Sequence, residues 1–131
     1  MEYTHGIKTL LANRSGVTNL VGTKIYPIEA PSGTALPFIT YEGTGTNVQH
    51  TKEKAEYQLA RVEVVGYAAT YAEAVALGKQ MGLALKRESV TSQSPKYTID
   101  KIFLEDETIE RLEDPSRYAF VLEVQAFAIF K

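Results

Sequence analysis

The sequence predicts an α+β fold: a single antiparallel or mixed β-sheet with helices packed on one face, closed by a long C-terminal β-hairpin. Three observations carry that prediction. Tyr57–Ala68 alternates, with Ala60, Val62, Val64 and Gly66 on one face and Arg61, Glu63, Val65 and Tyr67 on the other. Directly after it, Thr70-Tyr71-Ala72-Glu73 is a capping box that starts a helix running to about Arg87. From Arg117 to Phe130 the alternation returns: Tyr118, Phe120, Leu122, Val124, Ala126 and Ala128 oppose Val121, Glu123, Gln125, Phe127 and Ile129. With 131 residues, 44% hydrophobic and 23% charged, the chain has ordinary globular composition and the length of one domain, 1–131.

The elements follow in order. Ile7, Leu10 and Leu11 stand at helical spacing in Tyr3–Ala12, and Asn13 with Gly16 supplies a stop. A short helical turn is expected over Ser15–Leu20, ended by Gly22. Lys24–Ile28 reads as an edge strand because Pro27 cannot donate to a ladder. Ala30–Pro37 is a loop punctuated by Pro31, Gly33 and Pro37, and Phe38–Gly43 is a strand. In the capping-box helix, Tyr71, Ala74, Val75, Gly78, Met81, Gly82 and Leu85 form the apolar stripe. Gly78 and Gly82 each cost helix propensity, so their spacing points to close packing on a sheet. Tyr97–Glu105 pairs with the terminal strand through an acidic connection, Asp106–Ser116, which closes on Asp114-Pro115.

Gly43–Glu56 is polar and rich in Gly and Thr, and Val48 is its one aliphatic residue before Ala55. Apolar burial cannot offset the ordering entropy of such a segment, so it is expected to project as a loop and to order on assembly. Val48, His50, Lys52 and Lys54 are its candidate contacts. The sheet face away from the helices mixes Arg61, Glu63, Glu123 and Gln125 with Val65, Tyr67, Val121, Phe127 and Ile129, as subunit interfaces do. Arg61, Glu63, Tyr67, Phe127 and Ile129 are therefore candidate interface residues as well.

Chemistry is harder to find. Fourteen Lys and Arg against sixteen Asp and Glu give a net charge of −2, which is no footprint for sequence-independent nucleic-acid binding. The absence of cysteine excludes disulfides, zinc thiolates and a thiol nucleophile. His5 and His50 stand apart, with no carboxylate at ligand spacing, so no metal and no cofactor are expected. The carboxylate runs Glu105-Asp106-Glu107 and Glu110 to Asp114 read as exposed acidic turns rather than an acid–base pair. Gly43-Thr44-Gly45-Thr46 lacks the Lys-Ser/Thr and the following helix of a phosphate loop. No serine sits in a nucleophile elbow. An apolar membrane span and a basic-then-apolar leader are both missing from the sequence, so a cytosolic protein with no membrane association is expected.

Several segments occur in a telling order: Val21-Gly22-Thr23-Lys24-Ile25-Tyr26-Pro27, Leu36-Pro37-Phe38-Ile39-Thr40-Tyr41, Ala60-Arg61-Val62-Glu63-Val64, Ala68-Ala69-Thr70-Tyr71-Ala72-Glu73-Ala74, and a long strand after Asp114-Pro115. The whole layout resembles the tail-completion, or tail-terminator (tail-to-head joining), proteins of long-tailed bacteriophages. The resemblance implies a structural virion protein and not an enzyme. It implies a homo-oligomeric ring, a hexamer, at the head-proximal end of the tail tube, which stops tube polymerisation and joins tail to head. The implied partners are further copies of the chain, the tail tube protein and a head-completion or neck protein, with DNA passing through the lumen unbound. The implied location is the virion tail or neck, and the host cytoplasm during assembly. In this resemblance Ile25-Tyr26-Pro27 and Pro37-Phe38 are fold determinants, and segments 43–56 and 105–114 have no counterpart. Two alternatives stay open: another neck protein (head-completion or stopper), or a small cytosolic ligand-binding α+β domain.

Overall fold

Apolar residues four apart hold the first two helices against the rest of the chain. Ile7 and Leu11 are fully buried in α1 (Thr4–Ala12), and Val17 and Val21 do the same in α2 (Ser15–Val21). Gly22, with φ +64°, ends α2 and returns its N–H to the Thr18 carbonyl at 2.8 Å. A computed structural model describes residues 4–50, 56–86, 90–93, 96–113 and 116–130. Arg87, the expected end of the central helix, and Asp114-Pro115, the expected turn, lie outside the described residues.

The strands are β1 (Ile25–Pro27), β2 (Phe38–His50), β3 (Glu56–Ala68), β4 (Val90–Gln93), β5 (Lys96–Leu112) and β6 (Arg117–Phe130). They form one sheet in the order β1-β2-β3-β6-β5-β4, mixed because β1 pairs parallel to β2 while every other pair is antiparallel. The expected α+β fold with helices on one face is what forms. Its centre is the β3–β6 pair, in unbroken register from Glu56↔Phe130 to Ala68↔Tyr118.

Two expected loops are strands instead. Residues 43–50 extend β2 and pair with 56–62 of β3, and a register shift between Gly43 and Gly45 absorbs one extra residue. The apolar content of 43–56 gives no hint of this, because the ladder satisfies the backbone whatever the side chains do. Residues 106–112 likewise belong to β5, in register with Arg117–Glu123. β4 covers only the 96–99 end of β5. The acidic side chains therefore lie along the outer margin of the sheet, where charge discourages edge-to-edge pairing.

α3 (Tyr71–Leu85) starts as the capping box requires: the Glu73 N–H donates to Thr70 Oγ1 at 3.2 Å. Its buried residues are Ala74, Leu77, Gly78, Met81, Gly82, Ala84 and Leu85, whereas Tyr71 and Val75 are exposed. The buried stripe is thus rotated from the expected one, toward Leu77 and Ala84. Two glycines shape this contact, and at Gly78 the missing side chain leaves room for the Phe120 ring of β6. Opposite it, a Cβ at Gly66 of β3 would stand 2.7 Å from Leu77 Cδ2 and 2.8 Å from Met81 Sδ. The core joins Ile7, Leu11, Val17 and Val21 to Ile39, Val62, Val64, Leu77, Met81, Leu85, Ile99, Ile102, Leu122 and Val124. Each large side chain among them contributes about 1.5–3 kcal/mol by burial.

The two helix glycines predict opposite outcomes. Gly78→Leu should destabilise by about 1–3 kcal/mol through overpacking against Phe120. At Gly82 a Cβ meets only Leu104 Cδ1, at an ordinary 3.7 Å, so Gly82→Ala should stabilise by up to about 1 kcal/mol. Denaturant unfolding of both variants checks the pair, and a neutral Gly78→Leu would mean that Phe120 does not fill that space.

Candidate assembly surface

Pleat and register together decide what the sheet shows on the face away from α3. Starting from β2, the cross-strand rows on that face are Phe38–Tyr67–Ala119–Glu110, Thr40–Val65–Val121–Thr108 and Glu42–Glu63–Glu123–Asp106. The next is Gly45–Arg61–Gln125–Phe103, followed by Leu59–Phe127. Register shifts at Gly43/Gly45 and Leu104/Asp106 keep these rows aligned where simple alternation would lose them.

The first two rows are largely covered over β2 and β3, while Thr108 and Glu110 at their β5 end are exposed. The Phe38 and Tyr67 rings stack with centroids 4.8 Å apart, and the Arg117 guanidinium lies 5.7 Å above Tyr67. Thr40 and Val65 are buried although they face away from the helices. Residues 28–36 curl over this end of the sheet, leaving a cleft of about 470 Å³ that includes Phe38, Thr40, Tyr67 and Arg117. Ile28 holds φ +66° at its entrance, unusual for a β-branched residue, while donating its N–H to the Tyr41 carbonyl at 2.8 Å.

The third row is the unusual one. It sets a carboxylate on each of four adjacent strands directly opposite the next, an arrangement that costs stability. Burial first, and then the charges of Glu123, Glu42 and Glu110, hold the Glu63 carboxyl above the usual glutamate range. Arg61 stands one row further on. It shares a shallow depression of about 310 Å³ with Thr44, Glu63, Glu105 and Glu123. Phe103, in the same row as Arg61, is half exposed. Among the described residues no group of three His, Cys, Asp or Glu side chains gathers to hold a metal, and no helix is long and apolar enough to cross a membrane.

Of the nine residues singled out in the sequence, Arg61, Glu63, Tyr67 and Phe127 share this face. Ile129 is in register with Tyr57 and Thr98, and its side chain lies outside the described set. Val48 and His50 lie in β2 opposite Gln58 and Glu56, also without described side chains. They belong to a strand and not to a projecting loop. Lys52 and Lys54 lie outside the described residues. Sequence reasoning missed Glu42, Asp106, Glu110, Phe38, Phe103 and Arg117. The first three come from segments read as a strand end and an acidic turn, and only the strand register sets Glu42 and Asp106 in the row of Glu63 and Glu123, with Glu110 on the same face.

The acidic row predicts a specific pH response. The fold raises the pKa of Glu63, so the folded state holds that proton more tightly than the unfolded chain does. The ionised carboxylate therefore subtracts stability above the folded pKa, and the loss is recovered as pH falls through it. Glu63→Gln should stabilise at neutral pH by roughly 0.2–1 kcal/mol, the scale of one cross-strand pair. The gain should vanish below about pH 4, where an ordinary glutamate is protonated. Melting curves of both proteins across that range check it, and a gain that persists in acid would assign the effect to something other than charge.

Comparison with known proteins agrees with the resemblance read from the sequence. The family model for tail completion protein gp17 matches residues 6–128. No relative matches among the curated protein sequences. Among solved structures, a chain of the virion of a native gene transfer agent particle superposes with a TM-score of 0.72, covering 94% of this chain and 91% of that one at 14% identity. That likeness speaks for the fold, and the family match speaks for kinship. The chain belongs to the tail completion protein gp17 family, structural proteins of a phage-type virion tail.

Proposed function

We propose that this chain forms a closed ring, a hexamer, on the head-proximal end of the tail tube, where it halts tube growth and presents the surface to which the head side attaches. The observation that carries the reading is the family match over residues 6–128. The gene transfer agent chain, which adopts the same fold within a virion, supports it. The role is one of assembly rather than catalysis, with the tube protein, a head-side neck protein and further copies of the chain as partners, and the whole chain acts as one domain.

The surface suits such a role. Closed rings use heterologous contacts, in which one patch of a subunit meets a different patch of its neighbour. The face away from α3 is a broad surface in which the Phe38–Tyr67 and Val65–Val121 pairs lie beside the acidic row of Glu63. A net charge of −2 also leaves the protein without the Lys/Arg excess that would hold passing DNA.

Deleting the gene from its particle tests the reading. Heads and tails should accumulate unjoined, the tails should vary in length, and infectious or transducing titre should fall by orders of magnitude. Purified protein added to such an extract should restore joining. Normal particles in the deletion strain would contradict a tail-completion role.

A further inference from the structure

The acidic row on the sheet has a counterpart on the other side of the same molecule. α3 turns an exposed stripe away from the core, comprising Val75, Lys79, Leu83 and, at its C-cap, Lys86. Val75 and Leu83 are 40% and 43% exposed, so the stripe sets two aliphatic side chains beside its lysines. A shallow groove of about 270 Å³ runs beside the stripe and reaches Leu104, Glu107 and Phe120 on the sheet. The two surfaces therefore match in kind. One shows carboxylates beside the exposed Phe103 ring, and the other shows ammonium groups beside exposed aliphatics.

They also match in spacing. Lys79 and Lys86 are two helical turns apart on one side of α3, about 10.5 Å along the axis. Neighbouring strands lie about 4.8 Å apart, so carboxylates two strands apart in the acidic row are separated by about 9.6 Å. Glu42 and Glu123 form one such pair, and Glu63 and Asp106 form the other. A helix laid across the strands brings one lysine to each member of a pair. Within one subunit this contact cannot form, because α3 packs on the opposite face of the same sheet.

We infer that a second copy of this chain covers the acidic sheet face with its α3 stripe, so that Lys79 and Lys86 of one subunit pair with two of the four carboxylates in the Glu42–Glu63–Glu123–Asp106 row of the next. The inference rests on the ring reading and deepens it by naming both halves of the contact. The pairing is heterologous, which is the class of contact that closes into rings when its rotation permits. It also gives a purpose to a row of like charges that the isolated subunit carries at a cost. Arg61 and Arg117 on the sheet side, and Glu73 and Glu107 on the helix side, have the minority charge on each surface and limit the attraction to the central row.

Charge reversal on each face, followed by mixing, tests this. Glu63→Lys with Glu123→Lys reverses the sheet face, and Lys79→Glu with Lys86→Glu reverses the helix face. Size exclusion with light scattering should show wild-type protein as a discrete oligomer, weakened by added salt. Each reversed protein alone should need at least about tenfold more protein to associate. An equimolar mixture of the two should recover the wild-type oligomer, because every contact in an alternating assembly again joins opposite charges. If the sheet-reversed protein fails to fold, the cysteine-free sequence offers a second readout. Lys79→Cys combined with Glu123→Cys should give a ladder of disulfide-linked multimers on mild oxidation, whereas either change alone stops at dimers. A wild-type oligomer that survives both reversals, a mixture that fails to recover, or the absence of a ladder would overturn this contact and leave the ring standing. A wild-type protein that stays monomeric up to its solubility limit would overturn the ring reading together with the contact.

Discussion

The unbroken register between β3 and β6 is the constraint on which the rest of the structure depends. From Glu56↔Phe130 to Ala68↔Tyr118 no residue is inserted or skipped, so the pleat assigns each side chain on both strands to one face. A slip of one residue would exchange Val62, Val64, Leu122 and Val124 for Arg61, Glu63, Val121 and Glu123 beneath α3. The flanking pairs can then carry bulges, at Gly43/Gly45 in β2 and at Ile99/Lys101 and Leu104/Asp106 in β5, without disturbing the core. Gly66 and Gly78 depend on the same register. One lets Leu77 and Met81 approach the sheet, and the other receives the Phe120 ring.

Much of this was legible in the sequence wherever side-chain burial follows a period. The alternation of Tyr57–Ala68, the capping box at Thr70, the helical spacing of Ile7 with Leu11 and the terminal strand all declare themselves through apolar pattern. The extra length of β2 and β5 does not. Those segments are polar on both faces, and their strand state comes from ladder bonds to β3 and β6 rather than from burial. β4 was invisible for a related reason, since four residues are too few to show a period. The parallel pairing of β1 with β2 depends on the path of residues 28–37 and leaves no trace in composition.

The candidate surface was half legible for the same cause. Arg61, Glu63, Tyr67 and Phe127 follow from counting by twos along β3 and β6. Asp106 and Glu110 do not, because the Leu104/Asp106 bulge changes the parity of β5, and Glu42 does not because its cross-strand neighbours are distant in sequence. The acidic row emerges only when four strands are set side by side. Net charge conceals it too: a chain of −2 gives no warning that carboxylates gather on one face of the sheet while lysines line the exposed side of α3. In a virion tail subunit, such a division of charge is better explained by contact between molecules than by the stability of one, because it costs the isolated fold.

Carboxyl footprinting of the protein, free and within assembled particles, tests the central claim that this sheet face is covered on assembly. Carbodiimide-driven labelling read by mass spectrometry reports each acidic side chain separately, and Glu113, exposed just after β5, is a reference outside the row. The account predicts that Glu42, Glu63, Glu123 and Asp106 label readily in the subunit dissociated by high salt and are protected in the particle, while Glu113 labels alike in both. Equal labelling of the row in both states would contradict it.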